Sequence, residues 1–99
     1  MTAPLYAYIV VFSGLSSQEM TDKLDRLGRT IPNWYRPPLR NTVFVVCALP
    51  AVDLTKFLRG KIKELDNLLV VDASTDRNGW LAKSAWDFLK TPKRAGEDD

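Results

Sequence analysis

The feature that most constrains this chain is an alternation that is missing. Three runs rich in β-branched and aromatic residues read as strands: Leu5 to Phe12 (LYAYIVVF), Thr42 to Leu49 (TVFVVCAL) and Leu68 to Ala73 (LLVVDA). A sheet with one face in water alternates apolar and polar side chains along each strand. Tyr8 to Phe12, Val43 to Leu49 and Leu68 to Val71 are instead apolar at odd and even positions alike. Both faces of the sheet are therefore expected to be buried, and the question becomes what covers the second one.

The segments between the strands supply one cover. Ser16 and Glu19 have the spacing of a capping box, with Leu15 and Met20 placed for a hydrophobic staple around it. Met20, Leu24 and Leu27 then recur at i, i+4 and i+7, the stripe of an amphipathic helix, and Gly28 suits its C-terminal stop. Ile31 to Leu39 (IPNWYRPPL) holds Pro32, Pro37 and Pro38, which excludes a central strand and leaves a short edge strand around Trp34 and Tyr35. Pro50 ends the next strand and suits the first turn of a second helix. Leu54, Phe57, Leu58 and Ile62 form the stripe of that helix. Gly60 weakens it by about 1 kcal/mol relative to alanine. Asp66-Asn67 make the turn into the last core strand, and residues 74 to 79 are polar loop. Trp80 to Lys90 predicts a short third helix, and the stretch from residue 91, ending in Glu97, Asp98 and Asp99, predicts a disordered tail.

The resulting order is βαββαβ followed by an appendage. It predicts an α+β, ferredoxin-like fold: an antiparallel sheet with two helices on one face and a C-terminal appendage. Residues 1 to 90 form a single domain in this reading, and 91 to 99 the tail. The Trp80 to Leu89 segment is too small to seal the whole second face. A second copy packed sheet against sheet is the economical cover, an isologous homodimer. Tyr8, Val10, Phe12 and Val45, with Trp80 and Trp86, are assigned to that face. A monomer whose C-terminal segment folds across the open face is the other solution.

Composition narrows the chemistry. The 99 residues include no histidine and one cysteine, Cys47. There is no imidazole base, no Ser-His or Cys-His pair, no internal disulfide and no cysteine cluster for zinc. Cys47 lies in an apolar strand and reads as a buried, inert thiol. No basic residue precedes the first apolar run, which is far too short to span a bilayer, so a cytoplasmic chain without a membrane segment is expected. Fourteen Lys and Arg stand against twelve Asp and Glu. Setting aside the three terminal acids leaves a moderately basic body, which permits a polyanionic partner.

The residues also resemble a known group. Tyr6-Ala7-Tyr8-Ile9-Val10-Val11-Phe12 is similar to the opening strand of the small CRISPR-associated ferredoxin-like proteins, the endoribonuclease-type subunit of the adaptation complex, and of the SinR-like proteins and VapD toxins. Val43 to Val46, then Leu54, Leu58 and Ile62, then Asp66 to Val71 follow the SinR-like order. Trp34-Tyr35 after Leu27-Gly28, and Trp86-Asp87-Phe88-Leu89, also suit it. The resemblance covers roughly residues 5 to 90 and implies a homodimer. In the nuclease members an aspartate just after the first strand is paired across the dimer to hold a divalent metal. Ser13 stands at that position here. A hydroxyl is a poor ligand for a hard cation, so hydrolysis by that mechanism is not expected.

The remaining carboxylates have local reasons to be where they are. Asp22 and Asp53 fall in first helical turns, and Asp72 and Asp76 at a strand end and in its loop. Ser13-Gly14 before a helix is not a phosphate-binding P-loop. Lys56, Arg59, Lys61 and Lys63 read as a solvated helix face. The most suggestive stretch runs from Arg29 to Arg40, where Arg29, Arg36 and Arg40 interleave with Trp34 and Tyr35 on a proline-stiffened segment. Arginines pair with phosphates and aromatic rings stack on bases. The reading is a non-catalytic, homodimeric binding module with no cofactor and no metal, associated with nucleic acid or a nucleoprotein. A divergent metal-dependent ribonuclease using Asp72 or Asp76 is one alternative. A regulator acting by protein contact through Trp34 and Tyr35 is the other.

Overall fold

A computed structural model describes residues 4–73 and 83–95. The chain forms β1 (Tyr6–Ser13), α1 (Ser17–Asp25), a 3₁₀ turn (Gly28–Thr30), β2 (Asn33–Tyr35), β3 (Thr42–Cys47), α2 (Ala51–Lys61), β4 (Asn67–Asp72) and α3 (Lys83–Lys90). The strands make one antiparallel sheet in the order β2-β3-β1-β4. β1 and β2, joined through α1, therefore run parallel with β3 inserted between them. β3 and β4, joined through α2, run parallel with β1 between them.

Local chemistry explains the element ends. The capping box forms: Ser16 Oγ accepts the Glu19 N–H at 3.1 Å, and the Ser16 N–H donates to Glu19 Oε1 at 2.9 Å. α1 stops at Asp25, short of the predicted Leu27, and Gly28 opens the 3₁₀ turn at φ +67°. Pro50 sits at the N-cap of α2, one step before the first turn. Gly14 follows β1 at φ +107°, where an added Cβ would run into the Glu64 carbonyl oxygen and lie 2.8 Å from the Asp66 nitrogen. Only glycine fits there, and that close approach lets the chain enter β4 directly beside the end of β1.

The two faces of the sheet have different covers. On one face Tyr8, Val10 and Phe12 of β1 and Val43, Val45 and Cys47 of β3 pack with Met20 and Leu24 of α1 and Leu54 and Leu58 of α2. On the other, Ala7, Phe44 and Val46 pack with Ala85 and Leu89 of α3, with Tyr35, Trp86 and Phe88 around them. β3 lies under both layers and is buried at every position. That is why its sequence does not alternate.

The assignment of side chains to faces needs correction. Tyr8, Val10, Phe12 and Val45, expected on the face that meets a second copy, point into the core beneath α1 and α2. A strand with two apolar faces carries no local signal of which one the helices take; helix packing decides it. Trp86 is half-buried at the α3 layer, and Trp80 lies outside the described residues. α3 covers the part of the second face around Ala7 of β1 and Phe44 and Val46 of β3, while Val11, Leu69 and Val71 stay exposed. The chain from 91 to 95, expected as a free tail, runs beside the start of β2. There the Ala95 N–H donates to the Pro32 carbonyl at 3.1 Å, and Asn33 Nδ2 donates to the Lys93 carbonyl at 3.0 Å.

Candidate nucleic-acid interface at the β2 edge

β2 is three residues long because prolines bracket it, with Pro32 before Asn33 and Pro37-Pro38 beyond Tyr35. Adjacent residues of a strand face opposite ways, which separates the two expected aromatics. Trp34 turns to the α1 side, where its indole Nε1 donates to Asp25 Oδ1 at 2.7 Å. Tyr35 turns to the α3 side, stacks on Phe44 at 6.0 Å between ring centroids and meets Phe88 at 5.5 Å. Its hydroxyl lies 2.8 Å from Ser84 Oγ. Trp34 and Tyr35 therefore do not form one stacking platform. Tyr35 is an interlayer packing residue, and Trp34 is the aromatic that borders a groove.

The arginines divide into two groups at opposite ends of β2. Arg29, on the 3₁₀ turn, lines an open groove of about 880 Å³ together with Trp34, Asn33, Asp25 and Arg94. Asp25 is the carboxylate of this groove and already accepts the indole N–H. Arg36 and Arg40 line a second hollow of about 260 Å³ with Pro37, Pro38 and Ser17, beside the start of α1. Arg36 Nη1 donates to Gln18 Oε1 at 3.2 Å. Among the described residues the ion pairs are Lys23–Glu64 at 2.9 Å and Lys83–Asp87 at 3.0 Å, so none of these four arginines is neutralised by a described carboxylate. The edge thus presents guanidinium groups at both ends of a rigid strand, with an indole at one of them.

Arg94 had no place in the sequence reading because it follows α3 in what reads as a tail. Its position depends on bonds between residues some sixty apart, Asn33 with the Lys93 carbonyl. The basic pair Lys93-Arg94 was the one local hint.

The other candidates resolve locally. Ser13 lies at the end of β1 opposite Asn67, whose Nδ2 donates to Ser13 Oγ at 3.0 Å. Asp72 lies at the end of β4 opposite Tyr8, and Asp76 is outside the described residues. Asp22 accepts from Gln18 Nε2 at 2.9 Å, and Asp53 sits in the first turn of α2. No group of three or more Cys, Asp or Glu among the described residues is placed to share a metal ion. Cys47 is fully buried, and burial pushes its thiol pKa up, away from the thiolate. Lys56, Arg59, Lys61 and Lys63 are exposed, with Lys61 Nζ 5.9 Å from the Phe57 ring centre. No described helix is long and apolar enough to cross a membrane. Comparison with models of known protein families, with curated proteins and with solved structures finds no match.

Proposed function

We propose that this chain is a non-catalytic binding module that holds a single-stranded nucleic acid along the β2 edge. The observation that carries the reading is the set of four arginines without described carboxylate partners, Arg29 and Arg94 at one end of β2 and Arg36 and Arg40 at the other. Guanidinium groups pair with phosphates, and Trp34 offers an edge or face to a base at the Arg29 end. The scaffold in this reading is ferredoxin-like. The βαββαβ order, the sheet order β4-β1-β3-β2 and the two helices on one face support it. On that scaffold the chain would stand beside the CRISPR-associated small subunits and SinR-like proteins, with Ser13 in place of the nuclease aspartate.

Fluorescence anisotropy with labelled single-stranded RNA and DNA tests this. Affinity is expected to fall with salt, and each arginine replaced among Arg29, Arg36, Arg40 and Arg94 to flatten the log–log slope by about 0.7. A salt-independent response, or full binding by the variant lacking all four arginines, would overturn it. Incubation of labelled RNA with magnesium or manganese tests the catalytic alternative. Cleavage that disappears in Asp72→Ala would establish the ribonuclease instead.

A further inference from the structure

The groove at the Arg29 end of β2 holds one polar group that phosphate binding does not explain. Arg29 and Arg94 supply its positive charge, yet Asp25 stands among its lining residues. A carboxylate beside two guanidinium groups weakens their hold on phosphate, and among the described residues it forms an ion pair with neither. Asp25 is the last residue of α1, and the Arg26 N–H closes the helix on the Lys23 carbonyl at 3.0 Å. Asp25 Oδ1 accepts the Trp34 indole N–H at 2.7 Å. Helix and indole together fix the carboxylate, and the residue is exposed to solvent. A carboxylate has about four acceptor sites on its two oxygens. The indole takes one, and among the described residues no other side chain or backbone group donates to Asp25. The other polar side chain of this wall, Asn33, is already engaged. Its Oδ1 accepts the Trp34 N–H at 3.0 Å, and its Nδ2 donates to the Lys93 carbonyl at 3.0 Å. The hollow at the far end of β2, with Arg36 and Arg40, has no carboxylate in its lining.

We propose that this groove selects a guanine base, read by the Asp25 carboxylate. The inference rests on the single-strand reading of the β2 edge and names the base that its Arg29 end takes. The groove, at about 880 Å³, has the size of a small-molecule site, typically about 300 to 1,000 Å³. With a phosphate held by the guanidinium groups, the base beside it meets a group that only accepts hydrogen bonds. The bases differ in what they offer to such a group. Guanine carries its N1–H and its 2-amino group side by side, two parallel donors that match the two oxygens of a carboxylate. Adenine and cytosine each place an amino group beside an unprotonated ring nitrogen, whose lone pair would face the second oxygen. Uracil and thymine set a single N–H between two carbonyl oxygens. Oδ1 keeps a free lone pair after its bond to the indole, so both Asp25 oxygens can serve guanine. The charge of the carboxylate strengthens those two bonds and repels the acceptors on the other bases. Base selection is thus confined to one end of β2. The Arg36–Arg40 end takes phosphate without regard to base.

Anisotropy of the full chain with labelled uracil tracts, carrying a single guanine, inosine or adenine or none, tests the assignment. The guanine tract is expected to bind about tenfold more tightly than the all-uracil tract. Inosine lacks the 2-amino group and is expected to fall between them. Asp25→Asn is the deciding variant. Its amide oxygen can still accept the indole N–H, so the circular dichroism spectrum is expected to be unchanged. Its NH2 group, however, offers donors where guanine needs an acceptor. The guanine preference is therefore expected to disappear. Reading the ratio of the two affinities cancels the general gain that follows from removing a negative charge. Arg36→Ala, at the far end of β2, is expected to weaken both tracts and keep the ratio. Salt-dependent binding that is equal for all the tracts, or a guanine preference that survives Asp25→Asn, would overturn the guanine site and leave the reading of the β2 edge standing. Failure to bind any tract would overturn both.

Discussion

The two edges of this sheet solve the same problem in opposite ways. β2 is closed off at several of its backbone groups by its own chain. Asn33 Oδ1 accepts the Trp34 N–H at 3.0 Å, Pro32 and Pro37 have no N–H to give, and the 93–95 segment occupies the Pro32 carbonyl. What this edge offers instead is side-chain chemistry, arginines at both ends and an indole. β4 has twice the length, no proline and no charge before Asp72. It offers backbone and apolar surface. An edge capped against strand addition can carry charged recognition without recruiting strays, whereas a bare edge needs a definite partner or it pairs at random.

The largest expected effect tests how β4 is anchored. Gly14→Ala puts a Cβ into the Glu64 backbone at a positive φ, and is expected to cost about 3 kcal/mol or more, or to prevent folding. Chemical denaturation measures it. If the variant is as stable as the parent, the close crossing that seats β4 beside β1 is not rigid. Next is Trp34→Ala on the β2 edge, expected to cost about 2 to 3 kcal/mol by removing a half-buried ring and its bond to Asp25. Leu69→Ala on the β4 edge is expected to lie within about 0.5 kcal/mol in the isolated chain, since that side chain is mostly in water. Equal losses from the two would erase the contrast between a packed edge and a bare one.

Between them lies Tyr8 on β1, whose hydroxyl donates to the Leu49 carbonyl at 2.7 Å. Tyr8→Phe is expected to cost about 1 kcal/mol. Burial first, then Cys47, Asp72 and Tyr6, push the Tyr8 pKa up from 10 to about 12. The native state therefore holds this proton more tightly than the unfolded chain does. Its contribution is complete below pH 10 and is lost as pH rises toward about 12. Denaturation midpoints followed across that window should fall more steeply in the parent than in Tyr8→Phe. The smallest effect is at Glu19, where the Ser16 backbone N–H holds the carboxyl below its ordinary range. Its contribution to α1 is present above the unfolded-state pKa and fades as pH falls through the native one. Glu19→Gln should lose that acid-side dependence and leave both edges unchanged.

Much of the framework was legible because its signals are local. The capping box at Ser16 and Glu19 formed as spaced, the prolines around Trp34 and Tyr35 limited β2 to three residues, and the absence of alternation from Val43 to Cys47 marked a strand covered on both sides. The site was legible only in part. Trp34 and Tyr35 are neighbours in sequence and sit on opposite faces of a strand, so the sequence suggested one aromatic surface where there are two unrelated packing sites. Arg94 entered the groove through contacts that span sixty positions.

The sequence by itself determined which segments become strands and helices, because backbone preferences, capping and apolar periodicity act within a few residues. Tertiary structure alone decided which face of the sheet the helices occupy, and so placed Tyr8, Val10, Phe12 and Val45 in the core. It also decided that α3 covers the second face around Ala7, Phe44 and Val46 and leaves Val11, Leu69 and Val71 exposed. A residue apolar on either side satisfies both arrangements equally, and only the packing of whole elements against one another tells them apart.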